Sequence, residues 1–259
     1  MCILFITVSY AQAPDTLWTK TYGGADYDYG ESVQQTFDGG YIVVGYTYSF
    51  GSGYDDVYLI RTNANGDTQW SKTYGAADYD AGSSVEQCPD SGYVIAGLAD
   101  WSVPGTGAFY LIRTNTMGDT LWTKKFSGDY EEVSNSVTQT ADEGYIIVGL
   151  TFSFGPGTPD YSNIYLIKTD SIGDTIWTKT FGGMDWEDGY SVKQISDGGY
   201  IITGFTTTFG AGAMDAYLIK TDSLGDTVWT RTYGGIEDDW GNEVQQTSDG
   251  GYIVVGGTQ

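Results

Sequence analysis

The chain has 259 residues and a formal net charge of −23, with eleven Lys and Arg against 34 Asp and Glu, and no histidine. That balance excludes nucleic acid and anionic lipid as partners, since both are bound by Lys and Arg neutralising phosphates. The lack of histidine removes the commonest general base, any Ser-His-Asp site and any His metal site.

The N-terminus, MCILFITVSYAQAPD, is a short apolar run followed by small residues. It reads as a signal peptide over residues 1–11 without a basic leader, with cleavage after Ser9-Tyr10-Ala11 and Gln12 as the new N-terminus. The expected location is therefore outside the cell or at its surface, in a bacterial envelope. No other segment is long and apolar enough to span a bilayer. Cleavage would remove Cys2 and leave Cys88 alone, so no intrachain disulfide is expected. Residues 12–259 read as one domain belonging to a longer protein.

From Asp15 onward one unit recurs. Asp-Thr, followed two residues later by Trp, stands at Asp15, Asp67, Asp119, Asp174 and Asp226, at spacings of 52, 52, 55 and 52 residues. Each copy continues with an aromatic and Gly, an acidic stretch, Val-x-Gln, a turn before Gly-Tyr, an apolar run such as IIVG, and YLI[KR]T. Self-similarity at this period signals a repeat architecture.

Each unit parses into four short strands. In the fourth copy these are Ser191 to Ser196, Tyr200 to Thr206, Ala216 to Thr221 and Asp226 to Tyr233, with Asp197-Gly198-Gly199 and Asp222-Ser223-Leu224-Gly225 as tight turns. Gly allows positive φ in such turns, and Asp accepts from the backbone two residues on. Second strands such as Tyr145-Ile146-Ile147-Val148 are apolar on both faces, as strands covered on both sides are. The expected fold is therefore all-β: a β-propeller of four-stranded antiparallel blades, four complete plus a partial fifth. Ring closure is the open point. The chain ends after two strands of a fifth unit, Asp15 to Tyr22 supplies an orphan fourth strand, and nothing beyond the signal segment supplies a third.

Trp18, Trp70, Trp122, Trp177 and Trp229 are expected to wedge between adjacent units, a mostly buried ring contributing about 2–3 kcal/mol. Nine of the eleven basic residues occupy two repeat positions: Lys20, Lys72, Lys124, Lys179 and Arg231 after the Trp, and Arg61, Arg113, Lys168 and Lys220 before the last turn. They read as architectural, the first set on exposed edge strands, where Lys discourages pairing with other molecules.

The runs GDTIWTKTFGG and SVKQISDGGYIITGFTTTFG resemble the secreted bacterial β-propeller repeat family. TDSIGDTIW is also similar to the tryptophan-docking segment of quinoprotein-type propellers, and more distantly to the sialidase Asp-box hairpin, from which its spacings differ by one. The resemblance covers nearly all residues after Pro14. It implies a propeller and an extracellular or envelope location; it carries no common reaction or ligand.

Candidate sites concentrate where the fourth strand leads into the next unit, on the face shared with the loop between second and third strands. Acidic side chains recur at Asp28, Asp80, Glu132, Glu187 and Asp239, and at Asp26, Asp78, Asp185 and Glu237, with Tyr130 in the third copy. Oxygen-rich loops of this kind suit Ca²⁺, which takes six to eight oxygens, although the EF-hand pattern is incomplete. Interleaved aromatics, among them Trp101, Trp186 and Trp240, suit a carbohydrate by stacking. The plainer reading is that Asp and Gly shape turns. The glutamines Gln35, Gln87, Gln139, Gln194 and Gln246 are expected to ring a wet axis, and Cys88 to be a small buried residue.

The function expected is a non-catalytic, exported binding or structural module with a protein or glycan partner, weak divalent-cation binding on the acidic face, and a monomeric state. The alternative is a carbohydrate-binding or glycoside-active propeller. Two carboxylates about 5–9 Å apart in a deep pocket would mark the latter.

Overall fold

The computed structural model describes residues 15–102 and 106–259. The segment assigned above to a signal peptide lies outside them. Among the described residues no helix forms, and the strands fall into four four-stranded antiparallel sheets and one two-stranded sheet.

Each sheet is built from consecutive strands. The first holds β1 (Asp28–Gln35), β2 (Tyr41–Thr47), β3 (Asp56–Thr62) and β4 (Thr68–Tyr74). The second holds β5 (Tyr79–Gln87), β6 (Tyr93–Trp101), β7 (Ala108–Thr114) and β8 (Thr120–Phe126). The third holds β9 (Glu132–Gln139), β10 (Tyr145–Thr151), β11 (Asn163–Thr169) and β12 (Thr175–Phe181). The fourth holds β13 (Glu187–Gln194), β14 (Tyr200–Thr206), β15 (Asp215–Thr221) and β16 (Thr227–Tyr233). β17 (Asp239–Gln246) and β18 (Tyr252–Thr258) form the fifth.

The register repeats with the sequence. Tyr145 pairs with both Gln139 and Thr169, and Tyr200 with both Gln194 and Thr221. The first strands begin earlier than the apolar pattern suggests: β13 starts at Glu187, not Ser191. A bulge between Gly189 and Ser191 lets the strand continue through a stretch whose alternation is broken.

In the second, third and fourth sheets the second and third strands are covered on both faces, and alternate residues serve different neighbours. Tyr93, Ile95 and Ile112 pack with Ile42, Val44 and Leu59 of the first sheet. Val94, Ala96 and Leu111, one residue out of phase, pack with Tyr145, Ile147 and Ile167 of the third. The period-2 geometry of a strand thus turns a continuous apolar run into two separate cores. Buried Cys88 belongs to the second of these cores, where burial pushes its thiol up to about 12.

The junctions repeat one set of contacts, complete between the four-stranded sheets. Trp70, Trp122, Trp177 and Trp229 meet the first Tyr of the next sheet's second strand edge-on, at ring separations of 5.7–5.9 Å. The basic residue after the Trp reaches the Asp of the next sheet's last turn: Lys72–Asp119 at 2.9 Å, Lys124–Asp174 at 2.6 Å and Lys179–Asp226 at 2.6 Å. Residues 15–22 join no sheet, but Trp18 meets Tyr41 at 5.7 Å and Lys20 meets Asp67 at 2.8 Å. The orphan segment therefore occupies a fourth strand's place against the first sheet.

The second basic position braces turns. Arg61, Arg113, Lys168 and Lys220 pair with Asp38, Asp90, Asp142 and Asp197 of their own sheet's first turn. Arg61 and Arg113 also donate Nε–H to Tyr93 and Tyr145 of the following sheet.

Candidate functional site

The loops entering the first strands and those between second and third strands lie together, as the sequence suggests. Asp26 N–H donates to Ser49 Oγ at 2.9 Å, Tyr130 N–H to Ser153 Oγ at 2.8 Å, and Asp185 N–H to Thr208 Oγ1 at 3.1 Å.

The recurrent acidic residues serve these loops internally. Asp28 accepts from Gly24 N–H, Ser49 Oγ and Thr47 Oγ1. Glu132 accepts from Gly128 N–H at 2.7 Å and Thr151 Oγ1 at 3.0 Å. Glu187 accepts from Gly183 N–H at 2.9 Å and Thr206 Oγ1 at 2.7 Å. Asp239 accepts from Gly235 N–H at 2.8 Å. The second sheet departs, since Ala99 stands in the place of the threonine. Asp80 accepts instead from Ala76 N–H and Asp100 N–H.

These partners set the protonation behaviour. Burial would raise the Asp28 carboxyl, but the bonds from Thr47, Gly24 and Ser49 outweigh it and hold it below the usual range. For Glu132 and Asp80 burial prevails and both are raised. Asp55, whose Oδ1 accepts from Asp80 N–H at 3.1 Å, is pushed up to about 6, chiefly by burial.

Of the other candidates, exposed Asp26 and half-buried Asp185 cap the next residue, accepting from Tyr27 N–H and Trp186 N–H. Asp78 is half-buried and Glu237 exposed. No three metal-ligating side chains converge among the described residues.

The aromatic candidates are dispersed round the same face. Trp186 is exposed and touches Phe152 and Tyr161 edge-on. Trp101 ends β6 and lies 5.4 Å from Tyr79, which stacks on exposed Tyr54 at 4.9 Å. Trp240, on β17, packs over Gly257, where a Cβ would fall 2.3 Å from its ring. A fourth group is a file of tyrosines on the first sheet. Tyr27, Tyr29, Tyr46 and Tyr48 follow one another at 6.5, 4.8 and 6.2 Å.

The first strands of all five sheets, β1, β5, β9, β13 and β17, line one polar cavity of 480 Å³. Its chemistry comes from residues that differ between copies. Glu86 and Lys193 occupy the repeat position of Gln34 and Gln245, and Asn135, Tyr190 and Asn242 that of Glu31. Lys193 Nζ lies 3.4 Å from Glu243, and burial raises the Glu86 carboxyl against the opposing pull of Lys193. Asn135 donates to Asp188 at 2.9 Å, and burial holds Asp188 well above the usual carboxylate range. Aligning the five copies and noting where they disagree would have singled out these residues.

The repeated glutamines do not line that cavity. Three of them reach sideways to the preceding sheet's first turn, Gln87 Oε1 accepting from Phe37 N–H, Gln194 from Ala141 N–H and Gln246 from Ser196 N–H. Gln139 faces Pro89, which has no N–H, and its Oε1 is buried without a partner.

No family model matches the chain. It is similar to the regulatory protein FlaEY of Caulobacter vibrioides, 25% identical over 185 residues, covering 64% of this chain and 18% of that protein. The chain thus spans less than a fifth of the length of this curated relative.

Proposed function

We propose that the chain is a non-catalytic, exported β-propeller that acts as a binding module, its five sheets set round the axial cavity as blades. One observation carries this reading. Residues common to all copies hold sheets, turns and junctions together, whereas those that differ between copies collect on the axis and on the aromatic loop face. A scaffold of equal parts with a varied mouth suits recognition; catalysis would require a reacting pair, and the loop carboxylates are engaged by backbone amides and hydroxyls. That engagement also weighs against the divalent-cation reading. The short stretch of a much longer regulatory protein to which the chain is similar is in keeping with a module.

A carbohydrate ligand is the reading favoured by the exposed tyrosines and Trp186 beside carboxylates and amides, since aromatic faces stack on apolar sugar faces and polar groups meet hydroxyls. A glycan array probed with the full chain, with Tyr27→Ala and with Lys193→Ala tests it. Hits lost in both variants support a saccharide bound across rim and axis. Hydrolysis of aryl glycosides, abolished by Glu86→Gln, would replace the module with an enzyme.

A further inference from the structure

A third set of residues that differ between copies converges at the end of the strands away from the loop face. The turns after the first and third strands lie there, and between complete four-stranded sheets they enclose one kind of cavity twice. Asp38, Arg61, Trp70, Gln87 and Tyr93 frame the first, of 550 Å³, between the first and second sheets. Asp90, Arg113, Trp122, Gln139 and Tyr145 hold the same repeat positions in the other, of 330 Å³, between the second and third. The Gly of the next sheet's last turn lies against each Trp, Gly118 on Trp70 and Gly173 on Trp122.

The frame is shared, but the rest of the lining is not. Phe37, Gln69, Ser91 and Thr116 complete the first cavity where Pro89, Leu121, Glu143 and Ser171 complete the second. Three of the first group are singular in the chain. Phe37 stands where the other copies have Pro89, Ala141, Ser196 and Ser248, and Gln69 where they have Leu17, Leu121, Ile176 and Val228. Ser91 stands where they have Gly39, Glu143, Gly198 and Gly250. With φ at +66° it takes the left-handed backbone that those three glycines take at +84°, so its hydroxyl is carried there at a conformational cost.

The chemistry of the larger cavity selects its ligand. Asp38 and Arg61 are its only charged residues; Arg61, 4% exposed, pairs with Asp38 and gives its Nε–H to Tyr93. That ion pair is closed within the frame, so a charged ligand would find no free counter-charge. The side chains of Gln69, Ser91 and Thr116 have no hydrogen-bond partner among the described residues and offer neutral donors and acceptors. Trp70 and Tyr93 meet edge-on at 5.9 Å, while exposed Phe37 and Met117 add apolar surface. Aromatic walls with a few neutral polar groups suit a ring that is apolar on one face and hydroxylated at its edge. We propose that the cavity between the first and second sheets binds a neutral pyranose unit, stacked on its aromatic walls with hydroxyls on Gln69, Ser91 and Thr116. It shares no residue with the axial cavity or the loop-face aromatics, so it stands or falls apart from the saccharide reading of those sites.

The probes are the methyl glycosides of glucose, galactose, mannose and N-acetylglucosamine, titrated into the full chain by calorimetry and saturation-transfer NMR. At least one is expected to bind with a Kd on the order of a millimolar. Gln69→Leu copies Leu121, and Phe37→Ala copies Ala141 and keeps the N–H that Gln87 accepts. Each weakens binding about tenfold and leaves the urea midpoint in place. Leu121→Ala, in the second cavity, and Tyr27→Ala, on the loop face, leave binding intact. No saturable binding of any of the four, or binding unmoved by both Gln69→Leu and Phe37→Ala, overturns the proposal. Binding lost with Tyr27→Ala instead would put the sugar on the loop face and also overturn it. Choline bound in preference to every glycoside would make the rings a cation cage, with the same consequence.

Discussion

The glutamine bridges offer a perturbation with its control built in. Replacing Gln194 by Leu removes an acceptor held 2.8 Å from Ala141 N–H, and Gln87→Leu does the same to Phe37 N–H, also at 2.8 Å. The freed amides sit in exposed turns where water can reach them, so each loss costs about 0.5–1.5 kcal/mol. Gln139 holds the same repeat position but faces Pro89. Its buried Oε1 is already unpaired, and only its Nε2 bond to Glu143 O, at 3.2 Å, would be lost. Relief of a buried unpaired oxygen offsets that loss, since leaving such a group unpaired costs about 1–3 kcal/mol. Gln139→Leu should therefore be neutral or stabilising. Urea unfolding of the full chain, followed by tryptophan fluorescence at matched slopes, measures all three. Equal destabilisation by Gln139→Leu and Gln194→Leu would refute the reasoning.

Three further outcomes are expected. Asp55 titrates near 6 in the folded chain against 3.8 unfolded, so the native state holds the extra proton between those values and stability falls as pH rises through them. Asp55→Asn, which keeps the acceptor for Asp80 N–H, should gain about 1–2 kcal/mol at pH 8 and nothing at pH 3, read from unfolding midpoints. Trp122→Ala empties a wedge between two complete sheets and should cost about 3 kcal/mol in urea unfolding, whereas Trp229→Ala, with no turn over its ring among the described residues, should cost clearly less. Millimolar Ca²⁺ should leave the melting midpoint of the full chain unmoved, because Asp28, Glu132 and Glu187 are held by Gly24, Gly128 and Gly183; a rise would restore the cation reading.

Fold was legible in the sequence wherever a residue acts through its own repeat position. Tyr200 to Thr206 forms a strand with the expected bounds, and the Trp and Lys positions mark the junctions. What was not legible is where a side chain reaches across copies. Gln194 looks like an axial residue because it sits on a first strand, yet its length carries it to the neighbouring turn. The acidic residues look like free loop ligands because nothing local shows their partners. Those partners, Thr47 for Asp28 and Thr206 for Glu187, stand 19 residues away on the paired strand. The cavity set of Glu86, Lys193 and Glu243 is assembled from three different sheets, and no spacing within one unit announces it.

Because Trp70, Trp122 and Trp177 all meet their neighbours through the same Tyr, Gly and Asp, any unit can stand next to any other. Stability in such an array is close to a sum over adjacent pairs. Loss or duplication of one unit's coding stretch would leave every surviving contact of this kind intact. Such a protein can change in size by whole units while the lining of its polar cavity, drawn from the positions that differ, is free to diversify.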